Sequence, residues 1–596
     1  MNIIYIVTII ALYVLIMLTH KTENKQNIIT SLAISAILIL CYNTLICVIY
    51  SFINILCTIP NLTISNTIVI AILTVIQIKN KKIQKYYLKI SDVIISLIFL
   101  AVVILVAYKQ YDFPFNLKYK ITDGSTHYYF AEQFYESSEL LYKSTGIDNI
   151  FGMYNSDFRL PGAYVNEGIL FKLFDNILTK GELFVIFDLF ILYLSGILFY
   201  CLLSKYIKNN KAKIIAVIFS LIYMLGYQLN SMLYGYVYLS LALDIIIAFL
   251  ILLVSYDNKE FDSIIILPIL AILSFGIFFS YAYFIPIIYI AIIVNLIIKN
   301  IQNKENILSE ENLIYMWGII VIPLILGLTF FIILPGAKGI KNEISTIGAK
   351  GTIYENYITN YLVFIPILII GVITSIKNKK KESDFGTILF ILSILFATIL
   401  FIGKKLEIVS DYYFFKAYYI IWPLTIYNVF IALSTIGENS KKALEIGIYS
   451  YIAVYVLAIV ASTLIFKSNI GINHIFYDNL DCVQNLRTSV LNGELKIAEE
   501  VEKQLKLNQI YVLSPKYNVR ARWISILYNN EFIYFDYSSK SGRNIEQWIK
   551  QKDQKYYLAY YEDYKELENQ QTSPNENSED YKIIYNDKNV FILERK

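Results

Sequence analysis

The chain has 596 residues, of which 57% are hydrophobic and 16% charged, with a formal net charge of +4 and a mean hydropathy of +0.54. Soluble domains carry about a quarter charged residues, so this composition excludes an ordinary soluble protein. The lysines form short clusters and no basic domain, which gives no indication of nucleic-acid binding. We therefore expect the membrane, with its lipids, to be the main solvent.

Apolar blocks predict a polytopic α-helical membrane protein. Blocks of about 17 to 25 residues alternate with polar breaks, and each can cross a hydrocarbon core of roughly 30 Å, which gives about fourteen candidate spans. The least obvious boundary is at Ser280, inside one long apolar stretch. The candidate spans cover residues 2–19, 28–53, 62–78, 91–108, 183–203, 213–229, 236–255, 262–279, 281–298, 313–334, 360–376, 385–402, 413–434 and 446–466.

Alternate loops between these spans are rich in lysine, and the positive-inside rule assigns them to the cytoplasm. The opposite loops, such as residues 58–65 and 230–235, are uncharged. This alternation places both termini outside, together with the long loop over residues 110–180. The abundance of Ile, Lys, Asn and Tyr suggests an AT-rich bacterial genome, so the membrane that we expect is the bacterial plasma (inner) membrane. The predicted parts are an N-terminal four-helix membrane segment (1–109), an extracytoplasmic loop with interfacial helices (110–180), a membrane core of about ten helices (181–466) and a C-terminal extracytoplasmic domain (467–596).

The long loop contains the segment TDGSTHYYFAEQF, in which Thr122 or Asp123 can cap a helix that we expect to continue to about Lys143. Its aromatic residues suit a helix at the membrane interface. Asp123 and His127 are four residues apart and face the same way. Asp123 could be a general base with His127 orienting it or contacting a phosphate. The alternative is an N-cap and an interfacial polar residue.

Several lysines are predicted on the outer side against the charge rule. Lys404, Lys405 and Lys416 surround the start of the thirteenth span, and Lys416 falls within an aromatic helix start. An ammonium there is costly unless it is paired, for which Asp411 or a bound phosphate could serve. The alternative is that Lys416 snorkels to the interface. The loop over residues 335–359 carries three further lysines of this kind.

Three other positions carry candidate groups. Arg159, in RLPGAYVNEGILFKLF, is the arginine of the first loop and suits a phosphate as a planar bidentate donor. A salt bridge to Asp157 or Glu167 is the ordinary alternative. Asp188 and Asp244 lie within predicted spans, where a carboxyl is either functional or part of a polar contact between helices. Histidine offers no metal-ligand grouping, since His20 and His474 stand apart.

Charge rises and apolar runs shorten after about Lys467, which predicts a small α/β domain. The predicted strands cover residues 509–513, 532–535, 556–560, 581–585 and 590–594, and the predicted helices cover 494–507, 521–529 and 544–550.

This layout resembles the C-type (GT-C) integral-membrane glycosyltransferases, including the mannosyltransferase-like members that use polyprenyl-phosphate sugars. Their first large outer loop opens with an acidic residue before an interfacial helix, which Asp123 matches. Their proline-glycine segment resembles Pro161 and Gly162, and their donor-binding basic residues correspond in place to Lys404, Lys405 and Lys416. A C-terminal outer domain is also common in that family.

The resemblance implies sugar transfer from a polyprenyl-phosphate donor to an extracytoplasmic glycan, lipid or protein acceptor, with inversion at the sugar. Asp123 would deprotonate the acceptor, and Lys416, Arg159 and Lys404 or Lys405 would hold the donor phosphate. No cofactor is implied with certainty, although a divalent metal is possible. A surface-polysaccharide polymerase or ligase is the nearest alternative, and a transporter or flippase for lipid-linked substrates is a second.

Overall fold

The protein is described here from a computed structural model. The described residues are 2–19, 26–80, 84–111, 115–120, 123–140, 160–207, 209–257, 263–303, 309–333, 355–369, 385–439, 442–485, 510–514, 523, 533–536, 555–560, 578–586 and 590–596.

Helices dominate the described part of the chain. They are, in order, α1 (Asn2–Thr19), α2 (Ile28–Phe52), α3 (Ile59–Asn80), α4 (Ile90–Val106), α5 (Asp123–Ser137), α6 (Tyr164–Phe174), α7 (Lys180–Ser204), α8 (Asn210–Tyr223), α9 (Leu229–Leu233), α10 (Val237–Asp257), α11 (Ser263–Tyr281), α12 (Ile285–Asn303), α13 (Glu310–Met316), α14 (Ile322–Ile333), α15 (Thr359–Leu362), α16 (Phe385–Lys405), α17 (Asp411–Asn439), α18 (Lys442–Val460) and α19 (His474–Asn485). Single π-helical turns extend α4 and α18, and others connect α8 to α9 and α13 to α14.

Among the described residues, eleven helical stretches are long and apolar enough to cross a membrane, and α1 adds a shorter apolar helix. The prediction of a multi-pass helical membrane protein is confirmed. The predicted span over residues 360–376 lies partly outside the described residues. The helices differ in how much of their surface is buried in protein. In the most apolar 18-residue window, 17% of the α3 residues are buried, whereas all of the α17 residues are buried. Consequently α3 faces lipid and α17 forms the centre of the bundle.

The long apolar stretch from residue 266 to 302 is broken, as predicted, close to Ser280. Helix α11 ends at Tyr281, and a 3-10 turn over Ala282–Phe284 precedes α12. Gly162 packs against this break. Its amide donates to the Phe279 carbonyl at 2.8 Å, and a Cβ on Gly162 would lie 2.4 Å from Ser280 Oγ. The Pro161–Gly162 segment thus packs directly on the interruption.

Helix α5 is embedded in protein, and its predicted position at the membrane interface stays a prediction. Residues from Gly124 to Glu132 are buried, together with Phe134. Helix α6 packs along one side of α5, with Gly168 so close that a Cβ would lie 2.6 Å from the Phe134 ring. The helix also ends earlier than predicted, at Ser137, because Ser138 takes a φ of 58° that stops helical hydrogen bonding.

The C-terminal part contains a five-stranded sheet formed by β3 (Ile510–Ser514), β4 (Ile533–Asp536), β5 (Tyr556–Tyr560), β6 (Tyr581–Asn586) and β7 (Val590–Arg595), in the order β4-β3-β5-β7-β6. The remaining two strands, β1 (Gln26–Asn27) and β2 (Tyr86–Tyr87), pair with each other near the membrane helices. Strand β3 pairs in parallel with β4 and β5, whereas β7 is antiparallel to β5 and β6. The strands lie where the sequence predicted them, within a residue or so. Of the three predicted helices of this domain, the structure describes only Trp523, within the helix predicted over residues 521–529, and the α/β class of the domain stays a prediction.

Candidate active site

The candidate site has two parts, which we call its arms. The first arm is the start of α5, with Asp123 and His127. The Lys120 amide donates to the Leu233 carbonyl at 2.7 Å, which ties the approach to α5 to the turn after α9. At that turn Gly235 has a φ of +78°, and a Cβ on it would lie 2.3 Å from the Gly124 nitrogen. Glycine is needed here both for the left-handed backbone and for the close approach. The contact fixes Asp123 against the turn.

The second arm is Lys416, in the second turn of α17. Its side chain is only 2% exposed, so it does not snorkel to the surface. The ammonium donates to the Tyr238 hydroxyl at 3.0 Å. Five tyrosine rings surround the ammonium, and we call them the tyrosine cage. Their centroids lie 4.2 Å (Tyr412), 4.6 Å (Tyr236), 5.2 Å (Tyr281), 5.4 Å (Tyr238) and 5.9 Å (Tyr413) from Nζ.

The two arms meet at this cage. The His127 ring lies 4.4 Å from the Tyr238 ring, centroid to centroid. A Cβ on Gly235, the residue before Tyr236 of the cage, would lie 3.3 Å from the Asp123 carbonyl carbon, so Asp123 lies beside this part of the cage. The structure therefore brings Asp123, His127 and Lys416 to one cluster of side chains, although they come from α5 and α17, almost 300 residues apart in sequence.

One cage hydroxyl is left with unused hydrogen-bonding capacity. The Tyr281 hydroxyl is buried and has no hydrogen-bond partner among the residues that the structure describes. Buried polar groups are nearly always satisfied by protein, water or a ligand. A donor hydroxyl next to an ammonium suits an anionic oxygen such as that of a phosphate.

Asp411 does not supply the partner for Lys416 that the sequence suggested, because its carboxylate forms an ion pair with Lys404. The Lys404 ammonium also lies over the rings of Phe414 and Phe415, which places it beside the start of α17. Lys405 is exposed and lies over the Phe401 ring. These contacts of Lys404 and Lys405 are with residues outside the tyrosine cage.

The two carboxyls within predicted spans form hydrogen bonds with neighbouring side chains. Asp244 is fully buried and accepts hydrogen bonds from Ser195 Oγ at 2.9 Å and from Gln228 Nε2 at 3.1 Å. Asp188 accepts from the Tyr119 hydroxyl at 2.7 Å. Whether either carboxyl has a functional role stays a prediction. Near Asp188, burial and then the Asp188 carboxyl raise the pKa of Glu167 well above its usual range.

The remaining sequence candidates cannot be placed. Arg159 and Asp157 lie outside the described residues, as do the lysines of the loop over residues 335–354. Among the side chains that are described, no group of three or more His, Cys, Asp or Glu residues is arranged to hold a metal ion.

The tyrosine cage is not evident from the sequence. Its members come from three tyrosine-rich segments, YGYVY, SYAYF and SDYYFF, each at the end of an apolar block on the predicted outer side. That shared position was the available signal. Tyrosine at membrane interfaces is so common, however, that the segments read as ordinary aromatic belts.

Comparison with known proteins gives likenesses of structure only. No protein-family model matches the sequence, and no curated protein does. Among solved structures, the chain is similar to the Archaeoglobus fulgidus oligosaccharyltransferase in the apo form, with 13% identity and a TM-score of 0.45 over 78% of this chain and 70% of that one. It is also similar to ArnT from Cupriavidus metallidurans, in the apo state (10% identity, TM-score 0.45) and bound to undecaprenyl phosphate (10%, 0.42), each over 83% of this chain and 97% of that one.

Identities of this size and TM-scores below 0.5 identify no shared residue and no shared substrate.

Proposed function

We propose that this chain is a membrane glycosyltransferase of the GT-C type that transfers a sugar from a polyprenyl-phosphate donor to an acceptor on the predicted extracytoplasmic side. The observation that carries the proposal is the meeting of Asp123, His127 and Lys416 at the tyrosine cage. A base and a buried cation at one place are what phosphate-linked sugar transfer needs.

In this reaction the acceptor oxygen attacks the anomeric carbon of the sugar while the bond from that carbon to the phosphate oxygen breaks. The acceptor proton passes to the Asp123 carboxylate. The polyprenyl phosphate leaves with one more negative charge, which Lys416 stabilises. Attack from the side opposite the phosphate inverts the configuration at the anomeric carbon.

The cage offers two groups to the phosphate of the proposed donor. Lys416 supplies a positive charge that can pair with a phosphate oxygen. The Tyr281 hydroxyl offers a further hydrogen bond to a phosphate oxygen. Because Lys416 is 2% exposed, the phosphate reaches it only when a ring of the cage moves aside.

The test is transfer of radiolabelled sugar from polyprenyl phosphate to an acceptor extract by the purified full-length protein. We expect Asp123→Asn to lower kcat by roughly 10²- to 10⁴-fold through loss of the base. We expect Lys416→Met to lower it by roughly 10²- to 10³-fold through loss of charge stabilisation.

Two matched variants serve as controls. Glu579→Gln makes the same carboxylate-to-amide change at an exposed site before β6, and Lys211→Met makes the same lysine change at an exposed site in the first turn of α8. Both should retain wild-type transfer. Undiminished transfer by Asp123→Asn would exclude the base assignment. Absence of transfer from every lipid-linked sugar tried, with movement of such a lipid across proteoliposomes, would favour the flippase alternative.

A further inference from the structure

Helix α19, which follows the last apolar helix, lies against the first arm of the site. Its Asp478 carboxylate accepts from the Lys120 ammonium at 2.6 Å, from the Tyr357 hydroxyl at 2.7 Å and from Asn230 Nδ2 at 3.2 Å. Lys120 precedes Asp123 by three residues. The Asp478 side chain is 13% exposed, so water competes weakly for these bonds.

The neighbouring residue, Asn479, satisfies a break in the helical backbone. Gly226 has non-helical angles (φ −84°, ψ −110°) within the π-helical turn between α8 and α9. Such a bend leaves carbonyl groups without their usual partners. The Asn479 side chain donates to the Leu225 carbonyl at 2.8 Å and to the Gly226 carbonyl at 2.9 Å. It also accepts from Asn230 Nδ2 at 2.7 Å.

Asn230 links the second arm, Lys416 on α17, to Asp478 and Asn479. The Tyr419 hydroxyl donates to Asn230 Oδ1 at 2.6 Å. Tyr419 lies on α17, one helical turn after Lys416. Asn230 and Tyr419 are both fully buried. A route of direct contacts therefore runs from Lys120, beside Asp123, through Asp478, Asn479 and Asn230 to Tyr419.

The ion pair between Lys120 and Asp478 keeps the Lys120 side chain charged. Burial by itself would lower the pKa of Lys120, but the Asp478 carboxylate, with smaller effects from neighbouring groups, raises it above its ordinary value. Lys120 is therefore fully charged at neutral pH. Removing either charge would leave the other partly buried and unpaired, which is the costly case for an ion pair.

We infer that Asp478 and Asn479 are positioning residues that hold the Asp123 arm and the Lys416 arm at a fixed separation. The inference rests on the proposed function and extends the site to a helix beyond the last apolar span. A sugar phosphate must touch both arms at once, and a displacement of about 1 Å can cost roughly 100-fold in rate.

The test combines kinetics with hydrogen–deuterium exchange on full-length protein in detergent. We expect Asp478→Asn and Asn479→Leu to lower kcat by roughly 10- to 100-fold with little change in donor KM, because alignment is lost while Lys416 remains. Amide exchange over residues 115–128 should rise in both variants. Gln484→Leu, an exposed amide on α19, is the matched control and should match the wild type in both measurements.

Two double variants separate positioning from general damage. If Asp478 acts through Asp123, Asp478→Asn should cause no further loss in an Asp123→Asn background, whereas an additive loss would overturn the inference. Lys120→Met and Asp478→Asn should likewise be non-additive with each other. Unchanged kcat and unchanged exchange in Asp478→Asn would also overturn it. Should the wild type transfer no sugar at all, the proposed function fails, but the exchange comparison still reports whether α19 holds residues 115–128.

Discussion

At the scale of single residues, Lys416 shows how a bundle can hold an ammonium at its centre. The electron-rich faces of aromatic rings attract a cation, and each such contact contributes about 0.5–2 kcal/mol, the higher value applying where water is excluded. Five rings and one hydroxyl bond therefore offset much of the cost of burial. The rings leave the charge itself intact, so it remains able to act on an anion.

Gly235 is the residue on which the first arm depends most directly. Gly235→Ala would force a left-handed φ on alanine and place its Cβ 2.3 Å from the Gly124 nitrogen. We expect a loss of about 1–3 kcal/mol in stability from the backbone conformation alone, and a fall in transfer as α5 shifts. Thermal unfolding in detergent and the kcat of the purified variant measure the two effects.

Gly447→Ala is the matched control, because Gly447 lies on α18 with nothing within 4 Å of the added Cβ. It should be neutral or stabilise by about 0.5–1 kcal/mol, as alanine does within a helix. Equal stability of the two variants would show that the contact between Gly235 and Gly124 is not a close one in the folded protein.

The sequence could indicate the chemically distinctive residues but not their surroundings. Asp123 was visible as a polar residue before a helix, and Lys416 as a charge inside an apolar block. Tyr236 and Tyr238 carried no such signal, because they form the site through contacts with α17 that are distant in sequence. Asp478 was invisible for the same reason, since its partner Lys120 is 358 residues away.

At the scale of elements, α5 is buried in protein and ends before the predicted Lys143. Its composition suits an interfacial helix, and periodicity alone does not show whether lipid or protein covers a given face. Helix α6 provides that covering surface. The break at Tyr281 was predictable, by contrast, because a single helix of the full length would exceed the hydrocarbon thickness by far.

The C-terminal end of α5 is held by Lys172 of α6. Its ammonium donates to the Tyr135 carbonyl and to Ser138 Oγ at 2.9 Å. Burial lowers the pKa of Lys172 to about 8, whereas an unfolded lysine has a pKa of about 10.4. Between these values the unfolded chain binds more protons than the folded one, so stability should rise with pH across that window.

We therefore expect the unfolding temperature of the wild type, relative to Lys172→Met, to increase from about pH 8 to about pH 10 and to be constant below pH 7. Thermal scans of both proteins in the same detergent measure the difference. Lys211→Met, at an exposed lysine, should show no such pH-dependent difference from the wild type. A difference that falls across the window would contradict the lowered pKa.

At the scale of the whole molecule, Trp523 joins the C-terminal part to the membrane helices. It is fully buried, with its ring 5.4 Å from Tyr119, 5.4 Å from Tyr128 on α5 and 6.1 Å from Phe184 on α7, centroid to centroid. Trp523→Ala should cost about 3–5 kcal/mol, the range for removal of a buried tryptophan. Limited proteolysis should then cleave the C-terminal part sooner, and thermal unfolding should begin earlier.

Trp317→Ala is the control, because that ring is 55% exposed on the apolar surface of the bundle. Its proteolysis pattern should match that of the wild type. Equal protection of the C-terminal part in both variants would show that the Trp523 ring does not hold the two parts together.

The burial of α17 also restricts the path of a long isoprenoid chain. Every residue from Phe414 to Leu433 is buried in protein, so a lipid tail does not lie along this part of the helix that carries Lys416. The adjacent helix α16 does face the bilayer, with exposed side chains that include Ile394, Ile399 and Phe401, and it ends at Lys404 and Lys405. If the proposed donor binds, its isoprenoid tail would therefore lie in the bilayer against α16, and only its head group would enter the protein.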